Sequence, residues 1–480
     1  MPLIGAAMAT AAPKKFEVDL DSATPLPLPT PKFELKATVF RTPDSKEGWV
    51  IKIPGNRPIA TPAYWEGMLF VGGGYGSHEF YAFDAESGRL VWQYRTGDDG
   101  PTAAVVEDGF CVFNTESCTV YVLDAKSGKL VWQQWLGDPL MSQPAVANGR
   151  LFIAYPGGAA VHPVMNTEGG SAKQQVGKTS PPGHRLLCAD LRTGKHIWDQ
   201  PISADVISAP VVDGDKVYTT CFDGTSFCFQ TNDGKLAWKK EHAGTSAPLI
   251  ANGQVIVTQR KTVKNSVYEG LAQMRQAPSY AEPASSPIMA PAPAPYLASG
   301  GGAALSTSAQ ASLDASVGFG GGAPSTAEMA KAKQNVGVGT VAGGWAFQGS
   351  RAAFKNGAVM NAQGAQVQAV ANSAGAPNWQ ANFRGRDVGA GSQVFSPPAL
   401  GQKGMYLTSA SGHLVAMDQK DGRVNFIYAT KQPMSFQPAL AHGNVYMGTS
   451  NGLVVCIKTG GKDADGWSAW GGNAQHNKKD

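Results

Sequence analysis

Four aspartates stand at the same place in a repeated stretch of the sequence, so they are the first candidates for chemistry. Asp84, Asp124, Asp190 and Asp418 each lie four residues before a glycine. A carboxylate can act as a general acid or base, or bind a cation. A catalytic site is singular, however, whereas this carboxylate returns with successive copies of the repeat. An Asp side chain also accepts N–H bonds from the backbone of a turn, and the repetition favours that structural role.

The repeat that carries these aspartates ends on an aromatic residue. The stretch AFDAESGRLVW ends at Trp92, and VLDAKSGKLVW ends forty residues later at Trp132. A strand, an Asp-to-Gly turn and a second strand that opens on an aromatic residue predict one β-hairpin per copy. The positions predicted to form this structural repeat are Trp49, Asp84, Gly88, Trp92, Asp124, Gly128, Trp132, Asp190, Gly194, Trp198, Gly234, Trp238, Trp379, Asp418, Gly422 and Phe426.

Two further strands precede each of these hairpins. A short strand containing proline comes first, followed by a turn such as Asn148-Gly149 or Asn252-Gly253 and by a strand rich in β-branched and aromatic residues. Asn-Gly turns are strong hairpin signals, and proline fits an edge strand or the first residue of a strand. Four antiparallel strands in about 40 residues are typical of a propeller blade.

We therefore predict an all-β fold, a β-propeller of four-stranded antiparallel blades. Counting the unit openings predicts eight blades, with seven as the alternative. The last unit has three clear strands, and GWVIKIPG around Trp49 offers a fourth, so an N-terminal strand is predicted to close the ring. The tail GWSAWGGNAQHN around Trp467 competes for that place but lacks the alternation of a strand. The fifth unit has no recognisable Trp in its fourth strand.

Shifts in composition divide the chain into an arm, a propeller and a tail. The arm is rich in Pro, which indicates an extended segment, and its first residues resemble the end of a signal peptide. The larger insert of the propeller is rich in Ala, Pro, Ser and Gly and is expected to be flexible. The predicted boundaries are 1–46 for the arm, 47–460 for the propeller, about 159–184 and 265–344 for its two inserts (277–337 of low complexity), and 461–480 for the tail.

The cysteines and a glycine-rich stretch have simple structural interpretations. Cys111/Cys118 and Cys221/Cys228 each fit within one predicted hairpin, where buried thiols are the favoured interpretation and a local disulfide is the alternative. The stretch GGGYGS, residues 72–77, contains G-x-G-x-G, as some phosphate-binding turns do. It opens no helix after a strand, so a loop between strands is predicted instead.

Several classes of function are disfavoured by the sequence. His162 and His184 flank the first insert and are predicted to approach each other across its base, but two histidines leave a zinc site without its other ligands. The formal net charge is +4 without a block of Lys and Arg, so nucleic acid is not an expected partner. No run of 18 apolar residues predicts a transmembrane helix.

The motif A-x-D-x-x-[TS]-G-[KR]-x-x-W resembles the tryptophan-docking repeat of the pyrroloquinoline-quinone (PQQ)-like β-propellers. Ala82, Asp84, Gly88 and Trp92 match it, and the resemblance covers roughly residues 47–460. It implies an eight-bladed ring in which each Trp packs against the neighbouring blade. One branch of that family comprises quinoprotein dehydrogenases, which hold PQQ and calcium at the channel. The other branch is non-catalytic and includes a lipoprotein of the outer-membrane barrel-assembly machinery.

The specific function of neither branch carries over to this sequence. The lipoprotein branch needs a lipidated Cys near the N-terminus, whereas the first cysteine here is Cys111. The dehydrogenase branch is not matched either. No two cysteines are adjacent, and no position matches that branch's calcium ligands or catalytic Asp. We therefore expect no catalytic, cofactor-binding or metal-binding residue, and PQQ and calcium are not supported by matched ligands. The favoured hypothesis is a non-catalytic propeller that binds or scaffolds other proteins through its loops and inserts. A periplasmic or other cell-envelope location is favoured over the cytoplasm.

Two other hypotheses stay open. A quinoprotein oxidoreductase with diverged PQQ and calcium ligands is the runner-up, and the third is a structural subunit of a larger surface assembly. A bound quinone spectrum after addition of PQQ and calcium would distinguish the enzyme from the binding protein. Cross-linking in native cells would test the larger assembly.

Overall fold

The fold was analysed on a computed structural model of the 480-residue chain. The structure describes residues 35–74, 76–115, 119–137, 142–158, 160–161, 164–165, 178–179, 182–241, 244, 246–263, 266–275, 287–288, 352–363, 366–371, 377–382 and 395–478. These residues form β-strands, turns and one short 3₁₀ turn (Trp470–Gly472), with no α-helix among them.

Antiparallel sheets follow one another along the chain. Seven of them have four strands each and are numbered here as blades 1 to 7. Blade 1 consists of β3 (Ala63–Trp65), β4 (Met68–Gly72), β5 (Glu79–Asp84) and β6 (Leu90–Arg95). Blade 2 consists of β7 (Val105–Glu107), β8 (Phe110–Asn114), β9 (Thr119–Asp124) and β10 (Leu130–Trp135). Blade 3 consists of β11 (Ala145–Ala147), β12 (Arg150–Gly157), β15 (Gly183–Asp190) and β16 (His196–Pro201), with the small pair β13 (Ala160–Val161) and β14 (Lys178–Thr179) between its second and third strands.

The other four-stranded blades have the same order. Blade 4 consists of β17 (Val211–Asp213), β18 (Lys216–Thr220), β19 (Ser226–Gln230) and β20 (Leu236–Lys240). Blade 5 consists of β21 (Leu249–Ala251), β22 (Gln254–Val263), β23 (Ser266–Arg275) and β24 (Pro287–Ile288). Blade 6 consists of β25 (Ala353–Lys355), β26 (Ala358–Gln363), β27 (Gln366–Ala371) and β28 (Pro377–Asn382). Blade 7 consists of β29 (Ala399–Leu400), β30 (Gly404–Thr408), β31 (His413–Asp418) and β32 (Val424–Ala429).

The closure sheet joins strands from the two ends of the propeller sequence. Its order is β1 (Thr38–Arg41), β2 (Glu47–Lys52), β35 (Leu453–Lys458), β34 (Asn444–Gly448) and β33 (Ala439–Ala441). Trp49 of β2 lies opposite Cys456 of β35. The all-β propeller of four-stranded antiparallel blades, closed by an N-terminal strand, is thus confirmed. The structure has seven continuous four-stranded blades, which is the alternative count. The favoured count of eight is reached only if the five-stranded closure sheet is counted as a blade.

Turn chemistry explains why the first two strands of a blade pair so regularly. Asn148 (φ 53°) and Gly149 (φ 70°) join β11 to β12, and Asn252 (φ 49°) and Gly253 (φ 69°) join β21 to β22. Positive φ at both central residues is the signature of the I′ hairpin turn, which Asn-Gly accommodates best. The predicted Asn-Gly hairpins are confirmed at these positions.

The core lies between neighbouring blades. The rings of Phe80 in blade 1 and Phe113 in blade 2 stack with their centroids 3.9 Å apart. Both side chains are fully buried, in one cluster with Trp92 and Leu123. Burying one such side chain contributes about 1.5–3 kcal/mol. Each blade therefore depends on its neighbours for stability, as expected of a repeat protein.

Three predicted boundaries need correction. The arm 1–46 ends inside the hairpin of β1 and β2, because Phe40 pairs with Gly48. The insert 265–344 begins too early, since it contains β23 and β24 of blade 5, and β24 also lies within 277–337. The tail 461–480 is no loose end, because residues 463–477 contact the innermost strands of several blades. Neither β24 nor the tail has the alternating pattern that marks a strand in sequence.

Candidate functional site

The repeated aspartates hold the turns between the third and fourth strands. Asp124 Oδ1 accepts the Ser127 amide (2.8 Å) and the Ser127 hydroxyl (2.6 Å), and the Gly128 amide donates to Asp124 O (2.8 Å). The hydroxyl bond is the main reason why the pKa of Asp124 lies below its ordinary value. Asp84, Asp190 and Asp418 make the same kind of bond to their own turns. These carboxylates therefore serve to hold the backbone of their own turns.

Five tryptophans of the repeat each connect one blade to the next. Trp92 Nε1 donates to Ala125 O of blade 2 at 2.9 Å. Its ring lies against Gly128, where a Cβ would come within 2.6 Å of Trp92 Cδ2. The same bond and ring contact recur for Trp49 on Ala85 and Gly88, Trp132 on Leu191 and Gly194, Trp198 on Thr231 and Gly234, and Trp379 on Gln419 and Gly422.

Two members of the predicted repeat lack this bond among the described residues. Trp238 of blade 4 is half-buried, and its Nε1 has no hydrogen-bond partner in the described part of the chain. It faces Tyr218 of its own blade. Phe426 of blade 7 has no donor and packs against Tyr406 and Tyr428. The docking contact is therefore interrupted in the described structure between blades 4 and 5.

The other candidates from the sequence contribute no described reactive group. Cys221 and Cys228 are free and buried, so the predicted alternative of a disulfide between them is wrong, and burial raises the pKa of each to about 12. Cys118 and His162 lie outside the described residues, which leaves the other cysteine pair and the predicted histidine approach untested. The loop prediction for residues 72–77 is confirmed for residues 73, 74, 76 and 77, which lie between the end of β4 at Gly72 and the start of β5 at Glu79, while residue 75 lies outside the described residues.

Within the described ranges, no group of three or more His, Cys, Asp or Glu side chains is arranged to hold a metal ion. Over the same residues, no helix has the length and hydropathy needed to cross a membrane.

Blade 5 carries the largest departure from the repeat. Its middle strands β22 and β23 pair over ten residues each, from Gln254↔Arg275 to Val263↔Ser266, whereas the corresponding strands of blade 4 pair over five. The first strand β21 covers only residues 254–256 of β22, and β24 covers only residues 271–272 of β23. We call the described residues 259–263 and 266–270 the hairpin arm. At about 3.3 Å per residue, the strand 259–263 extends roughly 17 Å beyond Thr258.

The comparisons with known proteins give the family. A family model described as outer membrane protein assembly factor BamB matches residues 77–182, 176–272 and 301–469, which is more than half of the chain. The chain belongs to the BamB family. The suspected relationship to PQQ-like β-propellers is thereby confirmed.

Individual BamB proteins are distant relatives in sequence. The outer membrane protein assembly factor BamB of Burkholderia pseudomallei is 25% identical over 265 residues, which is 48% of this chain and 66% of that protein. The chain spans between 20% and 66% of the length of the curated relatives that it matches.

Solved structures support the fold. The crystal structure of BamB from Moraxella catarrhalis superposes with a TM-score of 0.52 at 13% identity, covering 88% of this chain and 98% of that one. The quinohemoprotein alcohol dehydrogenase of Comamonas testosteroni gives a TM-score of 0.52 at 11% identity, covering 86% and 76% of the two chains. At such identities, both the BamB and the dehydrogenase structures bear on the fold alone.

Sequence reasoning missed the role of the C-terminal residues. The rival interpretation of GWSAWGGNAQHN as a closing strand is wrong, since β2 takes that place. Trp467 and Trp470 are nevertheless 2% and 1% exposed. Two tryptophans in a glycine-rich tail are unusual for a solvated end, and that was the available signal.

Proposed function

We propose that this chain is a non-catalytic, protein-binding propeller of the cell envelope that takes part in the assembly of outer-membrane proteins. The family match and the name shared by its curated relatives support this function. The ring supplies a rigid scaffold, and binding residues of such scaffolds are usually carried by the loops and extensions between strands. The hairpin arm is the observation that carries the proposal.

The hairpin arm suits recognition of another protein through the main chain. Beyond residue 256, β22 has no partner on the side away from β23 among the described residues. A free strand edge accepts an extended segment of another protein by β-augmentation, in which backbone bonds give affinity. We infer that the arm adds such a strand from an envelope partner.

A shortened arm tests this function. Thr258 and Leu271 pair directly, so replacing residues 259–270 by Asn-Gly rebuilds a two-residue turn at the length usual for a blade. A photo-reactive residue at position 254, which is partly exposed, reports partners of the remaining blade, and positions 261 and 267 report partners of the arm in the full-length chain. We expect the arm positions to cross-link to an envelope protein in native cells.

The matched control is a similar replacement in blade 3. Gly157 and Gly183 pair at the end of β12 and β15, so Asn-Gly in place of residues 158–182 removes the other insert. Cells carrying the short-arm chain should show reduced levels of outer-membrane β-barrel proteins, and cells carrying the control should not. Unchanged cross-links and barrel levels with the short arm, in a chain of unaltered melting temperature, would contradict the proposal.

The proposal includes the absence of a quinone cofactor. Calcium requires six to eight oxygen ligands, several of them carboxylates. In the C-terminal segment, residues 463–477, Asp463 accepts from the Gly404 amide (2.8 Å) and the Tyr406 hydroxyl (3.0 Å), and Asp465 accepts from the His442 amide (3.0 Å). Because these carboxylates already accept bonds from protein amides and a hydroxyl, they support the proposal that no PQQ–calcium site lies in this segment. A stoichiometric quinone spectrum after incubation with PQQ and calcium would overturn this part.

A further inference from the structure

The C-terminal segment, residues 463–477, runs along the innermost strands of five sheets. In each case the amide of the middle residue of the innermost strand donates to the segment. The bonds are Leu440 N to Trp467 O (2.7 Å), Tyr64 N to Ser468 O (2.7 Å), Val146 N to Ala474 O (2.9 Å), Val212 N to Gln475 O (3.0 Å) and Ile250 N to Asn477 Oδ1 (3.1 Å).

These bonds pair backbone N–H groups at the innermost edges of the sheets. An innermost strand has one neighbour in its sheet, so its other edge presents backbone N–H groups without a strand partner. A buried amide left unbonded costs about 1–3 kcal/mol. Four of the five amides bond to backbone carbonyls of the segment, which is how proteins bind extended peptides in general.

Two tryptophans anchor the segment in separate places. Trp467, which is 2% exposed, belongs to the core cluster of blades 6 and 7 and the closure sheet, with Leu440 and Met405. Trp470, which is 1% exposed, packs with Val211 of blade 4 and Ile250 of blade 5. Buried aromatic anchors of this kind dominate the energetics of peptide recognition.

Polar contacts make the binding of the segment depend on its side chains. The fully buried His476 has Nδ1 2.8 Å from Trp470 O and Nε2 2.8 Å from Pro144 O, so it ties a turn of the segment to blade 3. Gln437 donates to Pro398 O (2.7 Å) and accepts from the Gly471 amide (2.9 Å). A substitution at His476 therefore loses a contact on the propeller as well as one within the segment.

The covalent link to the propeller is exposed and carries little of this contact. Residues 460–462 are exposed and connect β35 to the segment. We propose that the innermost edge of the ring is a peptide-binding site whose resident ligand is the chain's own C-terminal segment. The ligand class is a peptide with the pattern W-x-x-W-G-G-N-x-x-H. This site is additional to the hairpin arm and goes beyond the proposed function.

Cleavage of the link in the full-length chain tests the site. A protease recognition sequence is inserted between Gly461 and Lys462, and the folded protein is cut and passed over a size-exclusion column. We expect the released segment to co-elute with the propeller. A fluorescein-labelled synthetic peptide of residues 462–478 should then exchange into the cut protein.

Competitor peptides measure what the site recognises. The Trp470→Ala peptide should compete at least about thirtyfold less well than the unaltered peptide, and the His476→Ala peptide about tenfold less well. The Lys462→Ala peptide is the matched control, because Lys462 is exposed, and it should compete normally.

Three results would overturn the inference. The first is loss of the segment on cleavage while the melting temperature stays unchanged. The second is equal competition by all the peptides. The third is unfolding of the cut protein in the presence of excess peptide, which would make the segment an inseparable part of the fold. None of these results bears on the hairpin arm.

Discussion

Blades 2 and 5 show what the docking repeat does and how a blade differs when the repeat is absent. In blade 2 the turn at Gly128 receives Trp92, and Trp132 in turn docks on Leu191 of blade 3. Blade 5 has no tryptophan in its short fourth strand, and Trp238 from blade 4 has no described bond to it. The same blade carries the long hairpin, whose two strands have ten residues each. Where docking fixes a blade, its Asp, Gly and Trp hold the turn and the contact with the next blade. The blade on which no docking contact is described is also the one that carries the extended hairpin.

The largest expected difference between these blades concerns their tryptophans. Trp132 is 3% exposed and donates to Leu191 O at 2.8 Å, so Trp132→Ala should lower the free energy of unfolding by about 3–5 kcal/mol. Trp238 is half-buried and has no described partner for Nε1, so Trp238→Ala should cost no more than about 1–2 kcal/mol. Urea unfolding followed by circular dichroism measures both. Equal losses would show that docking does not distinguish the two blades.

The sequence predicted the regular blades because one hairpin with a fixed register repeats. Trp49 could be assigned to the closure sheet from the alternating pattern of its strand and from the missing fourth strand of the last unit, and the structure pairs it with Cys456. The same reasoning failed for β24, which is a Pro-Ile pair inside a stretch of low complexity. Two residues carry no periodicity, and only their pairing with Leu271 and Ala272 defines a strand.

The C-terminal segment was unpredictable for a different physical reason. Its bonds to the innermost strands are made mainly by backbone atoms, which every residue type possesses. The sequence therefore marks only the anchors of the segment, Trp467, Trp470 and His476, and not the course of the backbone between them. The docking contacts of the repeat are likewise tertiary, but the repetition of Gly and Trp at fixed spacing made them visible.

A second test of the comparison separates docking from backbone strain at glycine. Gly128 and Gly253 have nearly the same φ, 70° and 69°, but a Cβ at Gly128 would lie 2.6 Å from Trp92 whereas nothing lies within 4 Å of one at Gly253. Gly253→Ala should therefore cost about 1 kcal/mol from φ alone, and Gly128→Ala about 2–4 kcal/mol, because the ring must also move. Thermal melts of both variants provide the measurement. If the two variants lose the same stability, the ring contact at Gly128 contributes nothing.

The smallest expected effect concerns the turn carboxylates and pH. Ser127 is the main cause that holds the pKa of Asp124 below its ordinary value, and Thr193 does the same for Asp190. A carboxyl with a lowered pKa in the folded state stabilises the fold above its unfolded pKa, near 3.8, and loses that contribution as the pH falls through the folded value. The double variant Asp124→Asn, Asp190→Asn should thus be less stable than the native chain at pH 7, by about 1 kcal/mol or less.

Acidification should reduce the difference in stability between the native chain and the double variant, since protonation removes the same charge from the native carboxylates. Urea midpoints measured between pH 7 and pH 2.5 would show the two curves converging at the acid end. Ser127→Ala provides the control, because it removes the hydroxyl 2.6 Å from Asp124 and leaves the carboxylate in place, so it should reduce the pH dependence only in part. A gap that stays constant over the whole pH range would mean that the amide of Asn fails for steric reasons and that the charge of the turn carboxylate contributes nothing to the docked blades.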